Sequence, residues 1–98
     1  MIQSLRVIQS HGFKKAVKKL HKNQKSDLDK AVHAIVDDPH LGTLKAGDLS
    51  SVRVHKFKMA KQLTLLAYQI DDGQLVLTLL MLGTHENFYR DVKLMLSS

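Results

Sequence analysis

The apolar positions of this chain change rhythm along its length, and each rhythm predicts a different element. From Leu75 to Leu82 they run almost unbroken. Leu75, Leu77, Leu79 and Met81 fall on one side of an extended chain, and Val76, Leu80 and Leu82 on the other. Apolar residues on both sides mark a buried central strand, and Gly83 allows it a tight exit. Nearer the start, Phe13, Ala16, Val17 and Leu20 recur at i, i+3, i+4 and i+7. That is the stripe of an amphipathic helix from about His11 to Lys22, with Ser10 as its N-cap. Asn23-Gln24-Lys25 breaks the pattern. Ser26 then caps a second helix to about Asp37, with Leu28, Ala31, Val32, Ile35 and Val36 as its stripe. A short polar link between two such helices predicts an antiparallel helical hairpin.

The remaining segments alternate with period two or lack a period. Ile2–Gln9 alternates loosely and predicts an edge strand. Asp37-Asp38-Pro39 ends the second helix, because the residue before proline is pushed out of the helical region. His40–Ser51, with Gly42 and Gly47, reads as a loop. From Val52 the chain reads as a strand, Val52 and Val54 on one face and Arg53, His55 and Phe57 on the other. Leu63–Ile70 is another strand, and Asp71-Asp72-Gly73 is a hairpin turn into Gln74–Leu82. A short helix through Phe88, Val92 and Leu96 closes the chain. The order β, α, α, β, β, β predicts an α+β fold in one domain over residues 1–98: an N-terminal strand, a helical hairpin, then an antiparallel three-stranded meander.

Composition narrows the chemistry. The chain has 98 residues, 44% of them hydrophobic, and no cysteine, which excludes disulfides, thiolate catalysis and cysteine-based metal sites. No basic start followed by an apolar core and a cleavage site opens it, so a cytoplasmic protein is expected. No apolar run approaches the roughly 18 residues of a membrane span. Fifteen Lys and Arg against nine Asp and Glu give a net charge of +6. That balance favours polyanions through phosphate contacts and counterion release.

Two basic clusters stand out. Lys14, Lys15, Lys18, Lys19 and Lys22 cover the polar side of the first helix, continued by His21 and Lys25. The plain reading is a solvated helix face, but like charges at this spacing repel unless an anion neutralises them. Arg53, His55, Lys56, Lys58 and Lys61 form the second cluster, on a strand expected beside the one leading to His85. Cutting an RNA phosphodiester needs a base for the 2′-hydroxyl, an acid for the leaving oxygen, and cations for the charge between them. Histidine suits the proton steps and arginine the phosphate. His85-Glu86 begins like a zinc-binding HExxH motif, but Tyr89 stands where the second ligand belongs, so no metal or cofactor is expected. Phe88 and Tyr89 could stack a base or simply cover the sheet edge.

These residues resemble a known family over nearly the whole chain: the RelE/ParE toxins of bacterial type II toxin–antitoxin systems. The resemblance rests on the two-helix start, Asp38-Pro39-His40-Leu41-Gly42, Leu44-Lys45-Ala46-Gly47-Asp48-Leu49, Val52-Arg53-Val54 and the Asp71-Asp72-Gly73 hairpin. The ending Gly83-Thr84-His85-Glu86-Asn87-Phe88-Tyr89 is most similar to the YafQ branch. The resemblance implies a microbial ribonuclease-like fold, a cognate acidic antitoxin that blocks the site, and operator DNA as a ligand of the toxin–antitoxin complex. It implies ribosome-dependent cleavage of mRNA in the A site, or, as in ParE-like members, inhibition of DNA gyrase without RNA cleavage. Carried over by position, His85 matches a catalytic histidine, Tyr89 its following aromatic, and Arg53 a strand arginine. His40 and His55 lie near the family's other histidines. Lys56, Lys58, Lys61 and Arg90, with Lys14, Lys15, Lys18 and Lys22, are the expected nucleic-acid contacts. The Asp-Trp pair of the YafQ branch is absent, and Gln62-Leu63-Thr64 stands in its place.

Overall fold

The computed structural model describes residues 5–45, 51–84 and 88–97. Its elements are β1 (Arg6–Gln9), α1 (His11–Lys18), α2 (Lys22–Asp37), β2 (Thr43–Leu44), β3 (Arg53–Met59), β4 (Gln62–Asp71), β5 (Val76–Gly83) and α3 (Phe88–Ser97). Five strands make one sheet in the order β1-β5-β4-β3-β2. Its β3–β4–β5 meander is antiparallel, whereas β1 lies parallel to β5. The α+β architecture is the expected one, with one added strand. Thr43–Leu44, inside the stretch expected to be loop, pairs with Val54 and Arg53. Two residues are too few to show a period in sequence.

The helix junction also differs from expectation. Ser10 caps α1 as expected, its Oγ accepting from the Phe13 N–H at 3.0 Å. But α1 ends at Lys18, not Lys22, and α2 starts at Lys22 without waiting for Ser26. His21 is the N-cap residue, and its N–H donates to Gln24 Oε1 at 2.7 Å. Gln24 therefore satisfies a donor that the helix start would otherwise leave open. Asn23-Gln24-Lys25, read as a break, forms the first turn of α2.

The sheet has two covered faces. Toward the α1–α2 hairpin, Leu66, Tyr68, Leu77, Leu79 and Leu82 pack with Phe13, Leu28 and Ile35. Toward α3, Val52, Val54, Leu65, Ala67 and Leu80 pack with Phe88 and Val92. The face assignment within β5 departs from strict alternation. Tyr68 pairs with Leu79 but Ala67 pairs with Met81, so Leu80 is an extra residue. This β-bulge reverses the parity of everything beyond it. Leu82 thus joins Leu77 and Leu79 under the helical hairpin, while Met81 packs with Leu80 on the α3 side. Ser10 accommodates the irregularity, its Oγ donating to the Leu80 carbonyl at 2.6 Å. Leu75, expected on the strand, lies in the turn before it with φ 56°.

Two side chains fix the segment between α2 and β2. The hydroxyl of fully buried Tyr68 accepts from the Gly42 N–H and donates to the Pro39 carbonyl, each at 2.8 Å. Burial raises the Tyr68 pKa above the ordinary phenol value, which keeps the proton it donates. Arg53 Nη1 donates to the Gly42 carbonyl at 2.8 Å and the His40 carbonyl at 3.2 Å.

The β3–β4 turn is two residues long, Ala60 and Lys61, with φ of 51° and 70°. Both take the left-handed region that type I′ hairpins require and that side chains with a Cβ disfavour. Asp27 of α2 supports this turn, its Oδ2 accepting from the Ala60 N–H at 2.8 Å. Asparagine tolerates that conformation better than alanine. Ala60→Asn is therefore expected to raise unfolding stability by roughly 0.5–1 kcal/mol, seen as a higher urea midpoint at unchanged slope. An unchanged or lower midpoint would show that the turn is not strained.

Candidate functional site

Strand geometry divides the second basic cluster. Successive side chains of a strand point to opposite faces. Val52 and Val54 pack under α3, and Phe57 and Met59 pack under the helical hairpin. Arg53 and His55 therefore face the helical hairpin, and Lys56 and Lys58 face the side of α3. Both lysines are exposed. Lys56 pairs with Leu65, and Leu65 with Gly83, so Lys56 shares a cross-strand row with the end of β5. Two strand spacings put their Cα atoms roughly 10 Å apart. Beyond residue 54, β3 has no partner from β2, so Lys56 and Lys58 stand on a sheet edge.

Tyr89, on the first turn of α3, belongs to the same face. Its ring meets buried Phe88 edge-on at 5.3 Å, and Lys45 Nζ lies 5.2 Å from its centroid. Lys45 is positioned by its N–H, which donates to the Val52 carbonyl at 2.9 Å. The sequence names Lys45 only within a loop motif and gives no sign of its contact with Tyr89, which spans 44 positions. Arg90, next along α3, is exposed.

The described histidines do not converge on this face. His55 stacks on Phe57 at 5.8 Å, half-buried on the helical-hairpin side. Burial lowers its pKa below the usual 6.5, because a desolvated imidazole resists charging. The unfolded chain then binds the proton more readily than the folded one. Stability is full above pH 6.5 and falls as the pH drops through 6.5 toward the lower folded value. His55→Gln is expected to flatten that part of the stability–pH curve relative to the parent protein, measured by urea unfolding between pH 5 and 7.5. Parallel curves for the two proteins would contradict it.

His40 stands at the other end of the sheet. Its Nε2 lies 3.2 Å from Asp72 Oδ1, both side chains largely exposed. Asp72 is seven residues along the chain from Leu65, the partner of Gly83, roughly 23 Å at the strand rise. Asp71, Asp72 and the α2 C-terminal Asp37 and Asp38 gather at this end. Arg53, expected to hold phosphate, spends Nη1 on loop carbonyls. Lys14, Lys15, Lys18 and Lys22 are exposed on the helical hairpin, and Lys61 is exposed in the β3–β4 turn. His85 lies outside the described residues, two positions beyond Gly83, as does the 46–50 segment of the loop motif.

Chemically, the α3 face offers ammonium groups for phosphate oxygens and an aromatic ring for a base, with the chain leading to His85 at its border. Among the described residues no three His, Asp or Glu side chains group to hold a metal ion. Nor is any described helix long and apolar enough to cross a membrane.

Comparison with known proteins identifies the family and the fold. A family model described as the ParE-like toxin of type II bacterial toxin–antitoxin systems matches residues 7–93. No curated protein sequence matches the chain. A chain of the intact Escherichia coli RelBE toxin–antitoxin complex superposes with a TM-score of 0.69 at 19% identity, covering 85% of this chain and 99% of that one. The isolated E. coli RelE toxin gives 0.66 at 19% identity, covering 94% and 99%. The solution structure of a conserved hypothetical protein from Helicobacter pylori gives 0.58 at 24% identity, covering 83% and 94%. At these identities the likeness establishes the fold.

Proposed function

The chain belongs to the ParE-like toxins of type II bacterial toxin–antitoxin systems, and from that premise we propose that it acts as a ribosome-dependent endoribonuclease, cutting mRNA in the A site and stopping translation. One observation carries the reading. Lys56 and Lys58 stand exposed on the α3 face, with Lys56 in the row of Gly83 and Tyr89 on the same side of the sheet. Lysines there would stabilise the charge that develops on a phosphate during cleavage, and the Tyr89 ring would stack or orient a base. His85 is the proposed acid or base, on its imidazole chemistry and its place just past the end of a buried strand. His55 and His40 support this reading less, since neither shares that face. The +6 charge suits both the RNA and an acidic antitoxin, by analogy with RelE, whose structures include a complex with RelB. With such an antitoxin the pair would bind its own operator DNA, and a cytoplasmic location would follow from a ribosomal target.

Primer extension on a defined mRNA in a reconstituted translation reaction tests the proposal. Cuts at codon positions that require translating ribosomes are expected. Intact mRNA with unimpaired translation would overturn it. A second reading, a gyrase inhibitor without nuclease activity, draws on the scatter of the described histidines. Inhibition of DNA supercoiling at stoichiometric protein would favour it.

A further inference from the structure

Three elements meet over Gly12, in the first turn of α1. A Cβ built there would lie 3.7 Å from Met81 Cε and 3.9 Å from Met95 Sδ, so two methionine side chains end at one point. Met81 comes from β5 and Met95 from the C-terminal part of α3. The bulge at Leu80 makes the meeting possible, because it turns Met81 to the α3 side of the sheet. The Ser10 hydroxyl lies 3.9 Å from the same point, and its proton is already given to the Leu80 carbonyl. Both methionines are half-buried and pack against the cluster that holds Phe88 and Val92.

The terminal helix depends on this contact. α3 has ten residues, and isolated helices shorter than roughly 12–15 residues are marginal in water. Its helicity therefore comes from docking. Phe88 and Val92, both buried, anchor its first half, and Met95 anchors its last turns. Leu94 and Leu96, on either side of Met95, are exposed. The chain has no cysteine, which leaves methionine as the side chain that peroxide oxidises reversibly. Of its four methionines, Met59 is buried under the helical hairpin and Met1 lies outside the described residues.

We propose that Met81 and Met95 form a peroxide-sensitive latch on α3. Hydrogen peroxide transfers one oxygen atom to a thioether sulfur: a sulfur lone pair forms the S–O bond, the O–O bond breaks, and water leaves. Sulfur loses two electrons and the peroxide gains them. In the docked helix the sulfoxide oxygen enters an apolar contact, and the hydroxyl beside it has its proton committed elsewhere. Burying an unpaired acceptor is unfavourable, so oxidation favours release of the last turns into water. A methionine sulfoxide reductase, with a dithiol as electron source, returns the thioether with a disulfide and water as products, and closes the latch. The latch does not depend on the target of the toxin. Its effect on cleavage rests on the reading above, since Tyr89 stands on the first turn of the same helix.

Amide hydrogen exchange of the full chain, read by peptide mass spectrometry before and after hydrogen peroxide, tests the latch. Met81 and Met95 should each gain one oxygen before Met59 does. The α3 amides should then exchange about tenfold faster or more, while those of the β3–β4 hairpin keep their protection. Met81→Leu/Met95→Leu, which nearly conserves volume, should fold as the parent does and keep α3 protected in peroxide. Met95→Gln, which places a polar group there without oxidant, should loosen α3 from the start. Sulfoxide reductase with dithiothreitol should restore protection to the oxidised parent. Unchanged α3 exchange in chains oxidised at both methionines, or equal loosening in the double leucine variant, would overturn the proposal. Peroxide should also lower mRNA cleavage about tenfold in the parent and spare the leucine variant, because a displaced Tyr89 no longer orients a base. Loosening of α3 with cleavage undiminished would overturn the regulatory role. A parent chain that cuts no mRNA at all would end the nuclease reading, and hydrogen exchange would still decide the latch.

Discussion

If the proposed nuclease function holds, Lys56→Ala is expected to lower ribosome-dependent mRNA cleavage by about 10²- to 10³-fold, the scale for removing one preorganised charge-stabilising group at a developing phosphate charge. The expectation follows from its position. Lys56 is exposed on the α3 face in the row of Gly83, so it is the strand lysine nearest the chain that delivers His85. Its backbone sits in the ladder with Leu65, which truncating the side chain leaves intact. Folding should be unaffected, and circular dichroism melting of the variant should overlay the parent's. His85→Ala should lose a comparable factor or more, as removal of a general acid or base does. His55→Ala should lose much less, because that ring faces the helical hairpin. Primer-extension time courses on the three variants decide the matter. Full activity in Lys56→Ala would remove the α3 face from the mechanism. A loss greatest in His55→Ala would move the chemistry to the opposite side of the sheet.

Tyr68→Phe carries the largest expected cost to stability. The change removes one oxygen that serves two partners 29 and 26 positions upstream. Buried Gly42 would keep an N–H with no acceptor, and Pro39 would lose the donor to its carbonyl. Stranding buried polar groups costs about 2–4 kcal/mol here, a drop in melting temperature of roughly 10–20 °C for a domain of this size. The oxygen has no room for a substitute on the glycine side. A Cβ at Gly42 would lie 2.9 Å from the Tyr68 ring and hydroxyl and 3.1 Å from the Val54 backbone. Gly42→Ala should therefore be destabilised as well. Calorimetry on both variants checks this. A Tyr68→Phe protein that melts with the parent would mean that water readily replaces the hydroxyl.

Much of the fold is legible in the sequence because most elements bury one face. The stripes Phe13/Val17 and Leu28/Ala31/Ile35 mark two helices, and the alternation from Val52 and the Asp71-Asp72-Gly73 turn mark the meander. What is not legible has physical causes. Leu79, Leu80, Met81 and Leu82 are all apolar, so no polar residue records which face each takes, and the bulge at Leu80 leaves no trace. The α1–α2 boundary moved because Gln24 helps close a helix start that the pattern assigned to Ser26. For the site, the alternation that separates Lys56 and Lys58 from Arg53 and His55 is visible in the sequence. The use of Arg53 as a brace depends on a loop 11 to 13 positions upstream, and the Lys45–Tyr89 contact on tertiary folding alone.

Asp37, Asp38, Asp71 and Asp72 gather at one end of the described chain while Lys58 and Lys61 lie toward the other, which gives the molecule a dipole component as well as a net positive charge. In the field of a polyanion such a body feels a torque in addition to an attraction. It turns lysine-end first before contact, so more of its collisions arrive in a usable orientation. That torque acts only within about a Debye length, some 8 Å at physiological salt and 30 Å in dilute buffer. Orientation on approach, and with it the rate of productive encounter, should therefore fade with added salt even where the final contacts survive.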